Sequence, residues 1–260
     1  MGADEGAVVS VRLVALCLED RDPAVRGAAA RALIALKHCS PAVLTLAAAL
    51  THTQLRVRRH AAQALGKMGA AAVGAAAQLG NALSDSSADV RRNAALALNS
   101  FSEGNQQHAT KLVVALRDAS HKVRRNAAQA LGRIPSAAAD STLTEALSDV
   151  LSSDVNNDVR KRAADALGLL GPSISAEAIR CLGAVLVRDS HPDVRRLCAV
   201  ALSKMGLASR AALGSLNESM QQELVPQIRG LVNSIVTKLT NQSLKRAQHQ
   251  QPTCHSWPIN

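Results

Sequence analysis

Apolar positions along this chain fall into two kinds of block that alternate from one end to the other. The first kind, at 41–51, 71–84, 106–117, 140–152 and 176–188, places apolar residues three and four apart, which predicts an amphipathic helix in each. The second kind opens near a Val-Arg pair, continues through Arg-x-Ala-Ala-x-Ala-Leu, and predicts another helix. Start signals stand four residues before the first Arg. Asp22, Ser87, Ser120 and Asn156 are good N-caps, and Pro23 and Pro192 follow at a helical position that needs no N–H. Stop signals stand eleven residues after it, at Gly69, Gly171, Gly206 and Pro135. Each unit is therefore expected to be a two-helix hairpin.

The hairpins repeat on a fixed ruler. Val25-Arg26, Val57-Arg58, Val90-Arg91, Val123-Arg124, Val159-Arg160 and Val194-Arg195 place their arginines 32, 33, 33, 36 and 35 residues apart. Seven residues after each Arg comes Leu33, Leu65, Leu98, Leu131, Leu167 or Leu202. Six before it comes Asp20, Asp85, Asp118, Asp154 or Asp189, with His52 in the remaining place. A degenerate seventh copy sits at Ile228-Arg229, with Glu223 six before and Val236 seven after. A period of this length means a solenoid in which each unit buries its apolar flank against the next.

Composition sharpens that picture. Hydrophobic residues make up 47% of the 260, yet only 1% are aromatic. A core of thin layers follows, with pairs such as Ala61-Ala62, Ala94-Ala95, Ala127-Ala128 and Ala163-Ala164 letting helices approach closely. No uncharged apolar run nears the ~18 residues of a membrane span. Asp4 and Glu5 stand where a secretory signal would need basic residues, so a cytoplasmic, reducing location is expected. Accordingly Cys17, Cys39, Cys181 and Cys198 are read as small buried hydrophobes rather than a disulfide set. The eight histidines are scattered without metal-ligand spacing, Cys254-His255 has no further ligands beside it, and no phosphate loop or nucleophile elbow occurs. No catalytic residue, metal or cofactor is expected.

The run Asp118 to Gly132, with Asp-x5-Arg and Val-Arg-x2-Ala-Ala-x-Ala-Leu-Gly, resembles the HEAT repeat, in particular the HEAT-like repeats of phycobilin lyases. The resemblance covers about residues 7–239. It implies an all-α, armadillo-like fold: a right-handed α-α superhelix of about seven two-helix repeats over 1–239. Residues 240–260, polar, Gln/His-rich and holding Pro252 and Pro258, are expected to be a disordered tail. It also implies a hydrogen-bonded Asp–Arg ladder along the stack, assigned as Asp85/Arg91, Asp118/Arg124, Asp154/Arg160 and Asp189/Arg195. With His52 in repeat two, Arg58 is either exposed or borrows Asp85 from the next repeat. Some HEAT-like enzymes, the deoxyhypusine hydroxylases, hold iron with His-Glu pairs; here His60 is followed by Ala61, and no His-Glu dipeptide occurs in the chain.

What faces outward decides function. On a 100° wheel, the first Arg shares its side with the Ala and Leu four and seven later, and the next two positions and the one five after the first Arg face away. Those are Arg59, His60 and Gln63, then Arg92, Asn93 and Leu96, Arg125, Asn126 and Gln129, Lys161, Arg162 and Asp165, and Arg196, Leu197 and Val200. In HEAT solenoids second helices line the concave surface, so the resemblance implies a basic ridge there. The chain carries 30 Lys+Arg against 20 Asp+Glu, a net charge of +10. The expected function is a non-catalytic scaffold that binds an acidic protein partner along this ridge. The alternatives are nucleic-acid phosphate binding, for which Phe101 alone offers stacking in the repeats, and bilin-lyase-like chromophore attachment. The same charges on a solvated face also serve solubility alone. No membrane partner is expected, and oligomeric state is left open. The first helix, expected over Ala7 to Leu18, has no polar cap repeat, which fits either one segment of a longer array or a docking surface. Leu224 to Leu239 has the amphipathic pattern of a cap.

Overall fold

A computed structural model of the chain describes residues 2–37, 39–101, 106–135 and 140–249. Seven hairpins follow one another: α1 (Gly2–Leu16) with α2 (Pro23–Ala35), α3 (Ser40–Ala49) with α4 (Leu55–Met68), and α5 (Ala76–Ala82) with α6 (Ala88–Leu98). They continue with α7 (Ala109–Ala115) and α8 (His121–Leu131), α9 (Ser141–Ser153) and α10 (Asn157–Leu170), α11 (Ala176–Arg188) and α12 (Pro192–Lys204), and α13 (Leu213–Gln222) and α14 (Pro226–His249). Among the described residues there is no strand. Each second helix packs on its own first helix and on the second helices before and after it, from α2 through α14. The fold is an all-α solenoid.

Small side chains set the spacing of the layers. The alanine pairs of α4, α6, α8 and α10 are fully buried, and Phe101 is the one large ring in the described core. A Cβ added to Gly132 would stand 2.7 Å from the Ala166 Cα, and one on Gly168 would stand 2.9 Å from the Ala201 Cβ. Helices that near-touch at the backbone leave no room for even one methyl group, which is why glycine occupies these positions.

The expected punctuation holds with local revisions. Gly69, Gly171 and Gly206 end their helices at φ of 60°, 75° and 55°. Asp22 and Asn156 cap through their side chains, whereas Ser87 and Ser120 sit at N-caps without a side-chain bond. The helix expected over 71–84 is shorter: after the left-handed turn at Gly69, the chain climbs through a 3-10 stretch, Gly69–Ala75, before α5 begins. The same ramp, Gly206–Ala212, precedes α13, and a single 3-10 turn, Gln106–His108, precedes α7. Cys17 is exposed in the 3-10 turn after α1, not buried, whereas Cys198 is buried and Cys39 and Cys181 are partly so.

At the C-terminal end Ile228, Val232, Ile235 and Leu239 turn inward, while Gln227, Arg229, Asn233 and Lys238 stay exposed. This is the cap pattern expected from the sequence. The boundary drawn at 239/240 falls inside α14, which runs on to His249. The helix runs on because the segment 231–249 has no Gly or Pro, and Leu239, Gln242, Leu244, Lys245, Arg246, Ala247 and Gln248 are good helix formers. The rest of the expected tail, 250–260, lies outside the described residues. Among the described residues no helix is long and apolar enough to cross a membrane.

Candidate interaction face

Two neighbouring positions at the start of each second helix have separate duties. The first Arg reaches sideways into the following repeat. Arg58 Nε donates to Asp85, Arg91 Nε to Asp118, Arg124 Nε to Asp154, Arg160 Nε to Asp189 and Arg195 Nε to Glu223, all at 2.6–2.8 Å. In each pair Nη2 donates to the second carboxylate oxygen. The Nη1 group turns to its own repeat and donates to the backbone carbonyl six residues earlier: His52, Asp85, Asp118, Asp154 or Asp189. The acid completes the joint by accepting the N–H two residues on, as Asp85 does from Ser87 at 2.8 Å. Asp118, Asp154, Asp189 and Glu223 do the same.

The ladder residues are thus those expected, but their pairing is shifted by one repeat. Asp85/Arg91, Asp118/Arg124, Asp154/Arg160 and Asp189/Arg195 meet only through the Asp backbone carbonyl; each carboxylate serves the preceding repeat. Its own turn already occupies one carboxylate oxygen, and the rest of the group points across the stack. Arg58 taking Asp85 is therefore the rule of the ladder. Burial pushes the Asp85, Asp118 and Asp154 carboxyls up, but guanidinium and backbone hydrogen bonds outweigh it and hold all three below the ordinary range. In Glu223 the Arg195 hydrogen bonds lead, with the same downward result.

One joint differs. His52 stands where a carboxylate would meet Arg26. Its Nδ1 accepts the Gln54 N–H at 3.1 Å, and its Nε2 lies 3.4 Å from Glu19 Oε1. Arg26 Nη1 keeps the carbonyls of Asp20 and Arg21, but its Nε is buried without a hydrogen-bond partner among the described residues.

The second position faces outward. Arg59, Arg162 and Arg196 are exposed, and Arg92, Arg125 and Lys161 are half-buried. Most stand beside an acid of the same face. Arg59 and Arg92 both lie 3.9 Å from Asp89, Lys161 2.7 Å from Asp158, Arg162 4.0 Å from Asp165 and Arg196 3.8 Å from Asp193. Lys161–Asp158 apart, pairs this loose and solvated contribute little, about 0–1 kcal/mol each. Arg92 and Arg125 converge with Lys67, Leu96, Asn93 and Asn126 on a cavity of about 270 Å³ between α4, α6 and α8.

Comparison with known proteins agrees with the repeat fold. The HEAT-repeats family profile matches residues 11–79, 76–150 and 144–234. The chain belongs to the HEAT-repeat family. No curated protein matches it significantly. Among solved structures, an engineered protein is 23% identical with a TM-score of 0.63, over 88% of this chain and 68% of that one. A designed armadillo repeat protein is 20% identical with a TM-score of 0.55, over 76% of this chain and 99% of that one. The complex of CpcE and CpcF of phycocyanin lyase from Nostoc sp. PCC7120 is 23% identical with a TM-score of 0.51, covering 88% of this chain and 94% of that one. At these identities the likeness is one of fold.

Within the HEAT array, three residues expected on the outer face do not stand free. Asn93 and Asn126 are buried, 5% and 2% exposed, and the Asn126 amide donates to the Arg92 carbonyl of the preceding repeat at 3.1 Å. His60 is half-buried, with Nδ1 2.7 Å from the Arg56 carbonyl. The wheel treats a helix as isolated, but a HEAT second helix has a neighbour on each side, so only a narrow strip stays open. Leu96, expected to face away, is exposed and lines the cavity. Sequence reasoning missed Lys67 and the acids Asp89, Asp158 and Asp193, although an acid three residues before the outward cation was an available signal for the acids. Among the described residues no three His, Cys, Asp or Glu side chains gather as a metal site.

Proposed function

We propose that this HEAT-repeat protein is a non-catalytic scaffold whose second-helix face captures an acidic segment of a partner protein. One observation carries the reading: Arg59, Arg92, Arg125, Lys161 and Arg196 recur at the same position of successive repeats on one face, all but Lys161 loosely paired or unpaired, while the ladder arginines beside them are fully engaged. Second helices spaced about 8–10 Å apart array these cations over tens of ångströms. Loose surface pairs exchange readily for an incoming carboxylate, because little is lost when they open. Repeat folds of this kind present extended surfaces to other proteins.

The test is triple charge reversal, Arg92→Glu with Arg125→Glu and Arg196→Glu. Binding of a labelled glutamate-rich peptide is followed by anisotropy, with circular dichroism as the control for folding. Loss of binding with helicity intact supports the ridge; unchanged binding removes it. Duplex DNA of matched charge, titrated with salt in parallel, separates the nucleic-acid reading: DNA held more tightly than peptide at equal salt favours phosphate recognition instead.

A further inference from the structure

The outward cations are not equivalent along the array. In its later repeats each has an acid of its own helix: Lys161 has Asp158, Arg162 has Asp165 and Arg196 has Asp193. In the middle the arrangement changes. An asparagine follows the outward arginine in two successive repeats, at Asn93 and Asn126, where the others carry His60, Arg162 or Leu197. The Asn93 Oδ1 accepts from Arg92 Nη2 at 3.4 Å. The Asn126 Oδ1 accepts from Arg125 Nε and Nη2 at 3.4 and 3.3 Å. A neutral amide oxygen steers a guanidinium without cancelling its charge. Asp89 of the same helix stands 3.9 Å from Arg92, about as far as the later acids stand from Arg162 and Arg196, but it is shared with Arg59 at the same distance. Among the described residues no acid comes within ion-pair distance of Arg125 or Lys67. All three cations line one recess of about 270 Å³, beside Leu96, which is 43% exposed.

We infer that this recess, between α4, α6 and α8, is the anchor subsite of the face: it takes one carboxylate side chain of an acidic peptide, with an aliphatic neighbour of that residue seated on Leu96. The inference deepens the reading above and rests on it. A cavity of this volume falls below the roughly 300–1,000 Å³ of small-molecule sites, and suits a single side chain. The two guanidiniums enter with most of their N–H donors unspent, which favours charge-assisted bonds to one carboxylate placed between them. Partial enclosure strengthens that attraction relative to the open parts of the face. The exposed Leu96 adds a contact that rewards an apolar residue beside the acid.

The experiment uses the full chain and twelve-residue fluorescein-labelled Gly/Ser peptides. Each carries three spaced glutamates, with a leucine after the central one. In the wild type, replacing the central glutamate by glutamine should weaken binding about tenfold, and replacing an outer one about twofold. Arg125→Gln should erase the difference between central glutamate and glutamine. Leu96→Ser should erase only the preference for the neighbouring leucine, and Arg196→Gln should leave both preferences intact. Equal weakening by Arg196→Gln and Arg125→Gln overturns the subsite while the ridge survives. No binding of any peptide by the wild type, or no effect of Arg92→Gln, Arg125→Gln and Arg196→Gln alike, overturns both. Matched-charge duplex DNA that displaces the peptide and loses affinity equally with Arg125→Gln assigns the recess to phosphate and overturns the carboxylate assignment. Far-ultraviolet circular dichroism confirms that each variant keeps its helicity.

Discussion

Arg91 and Arg92 are neighbours of the same chemical type, yet they live in different regions of the molecule. Arg91 lies at the hairpin-turn edge, 17% exposed at its side chain, with Asp118 and two carbonyls fixing its guanidinium. Arg92, one residue on and 100° round the helix, is 36% exposed and meets Asp89 only at 3.9 Å. The contrast recurs in repeats two, four and six, whereas in repeat five the outward residue is Lys161, held by Asp158 at 2.7 Å. Position relative to the stack, and not residue type, decides whether an arginine holds the array together or is left for a partner. Stability should follow the edge, and binding should follow the face.

The sharpest way to break that contrast is to remove an edge acid. Asp154→Ala strands Arg124, whose side chain is only 14% exposed, and should cost about 3–5 kcal/mol. Because a solenoid is held by nearest-neighbour junctions, urea unfolding should split into two phases, one for each side of the cut. A smaller loss follows from crowding: Gly168→Ala drives a Cβ to within 2.9 Å of Ala201, and about 1–3 kcal/mol should be lost in the same assay. Acid titration tests the edge as a whole. Asp85, Asp118, Asp154 and Glu223 are held below their ordinary values, so their stabilisation is complete above the unfolded carboxyl range, near pH 4. It is lost as the pH falls through their lower folded values. Melting temperature should therefore stay level on acidification to about pH 5 and drop steeply below pH 4, and a flat profile to pH 2 would contradict the ladder. The smallest effects belong to the exceptions. Arg26→Met removes an arginine that has no carboxylate, and Arg196→Glu alters an exposed one. Each should stay within about 1 kcal/mol of the parent on denaturation.

Much of this architecture is legible in the residues alone. The Val-Arg interval and the Leu seven residues later locate every hairpin, because a stacked unit repeats its buried positions faithfully. Even Ile228-Arg229 and Glu223, which match the motif poorly, complete a seventh unit, with Glu223 receiving Arg195. The direction of the ladder is not legible. An acid six residues before an arginine and another 27 to 30 after it are both plausible partners, and only the turn geometry chooses the distant one. The fates of Asn93 and Asn126 are hidden for a related reason. A helical wheel records angles about one axis, whereas their burial comes from α4, α6, α8 and α10 lying side by side. The recess at Leu96 is a property of three helices at once, so no single repeat announces it.

The one-repeat offset of the ladder gives the array a sense of direction. Every unit from the second to the sixth offers a guanidinium hook to its successor, and every unit from the third to the seventh presents an acidic eye to its predecessor. A duplicated unit spliced in among them would meet fittings already shaped to receive it on both sides. Growth by copying thus requires no new invention at the seams, and His52 marks the single joint where a lengthened descendant would have to supply the missing eye.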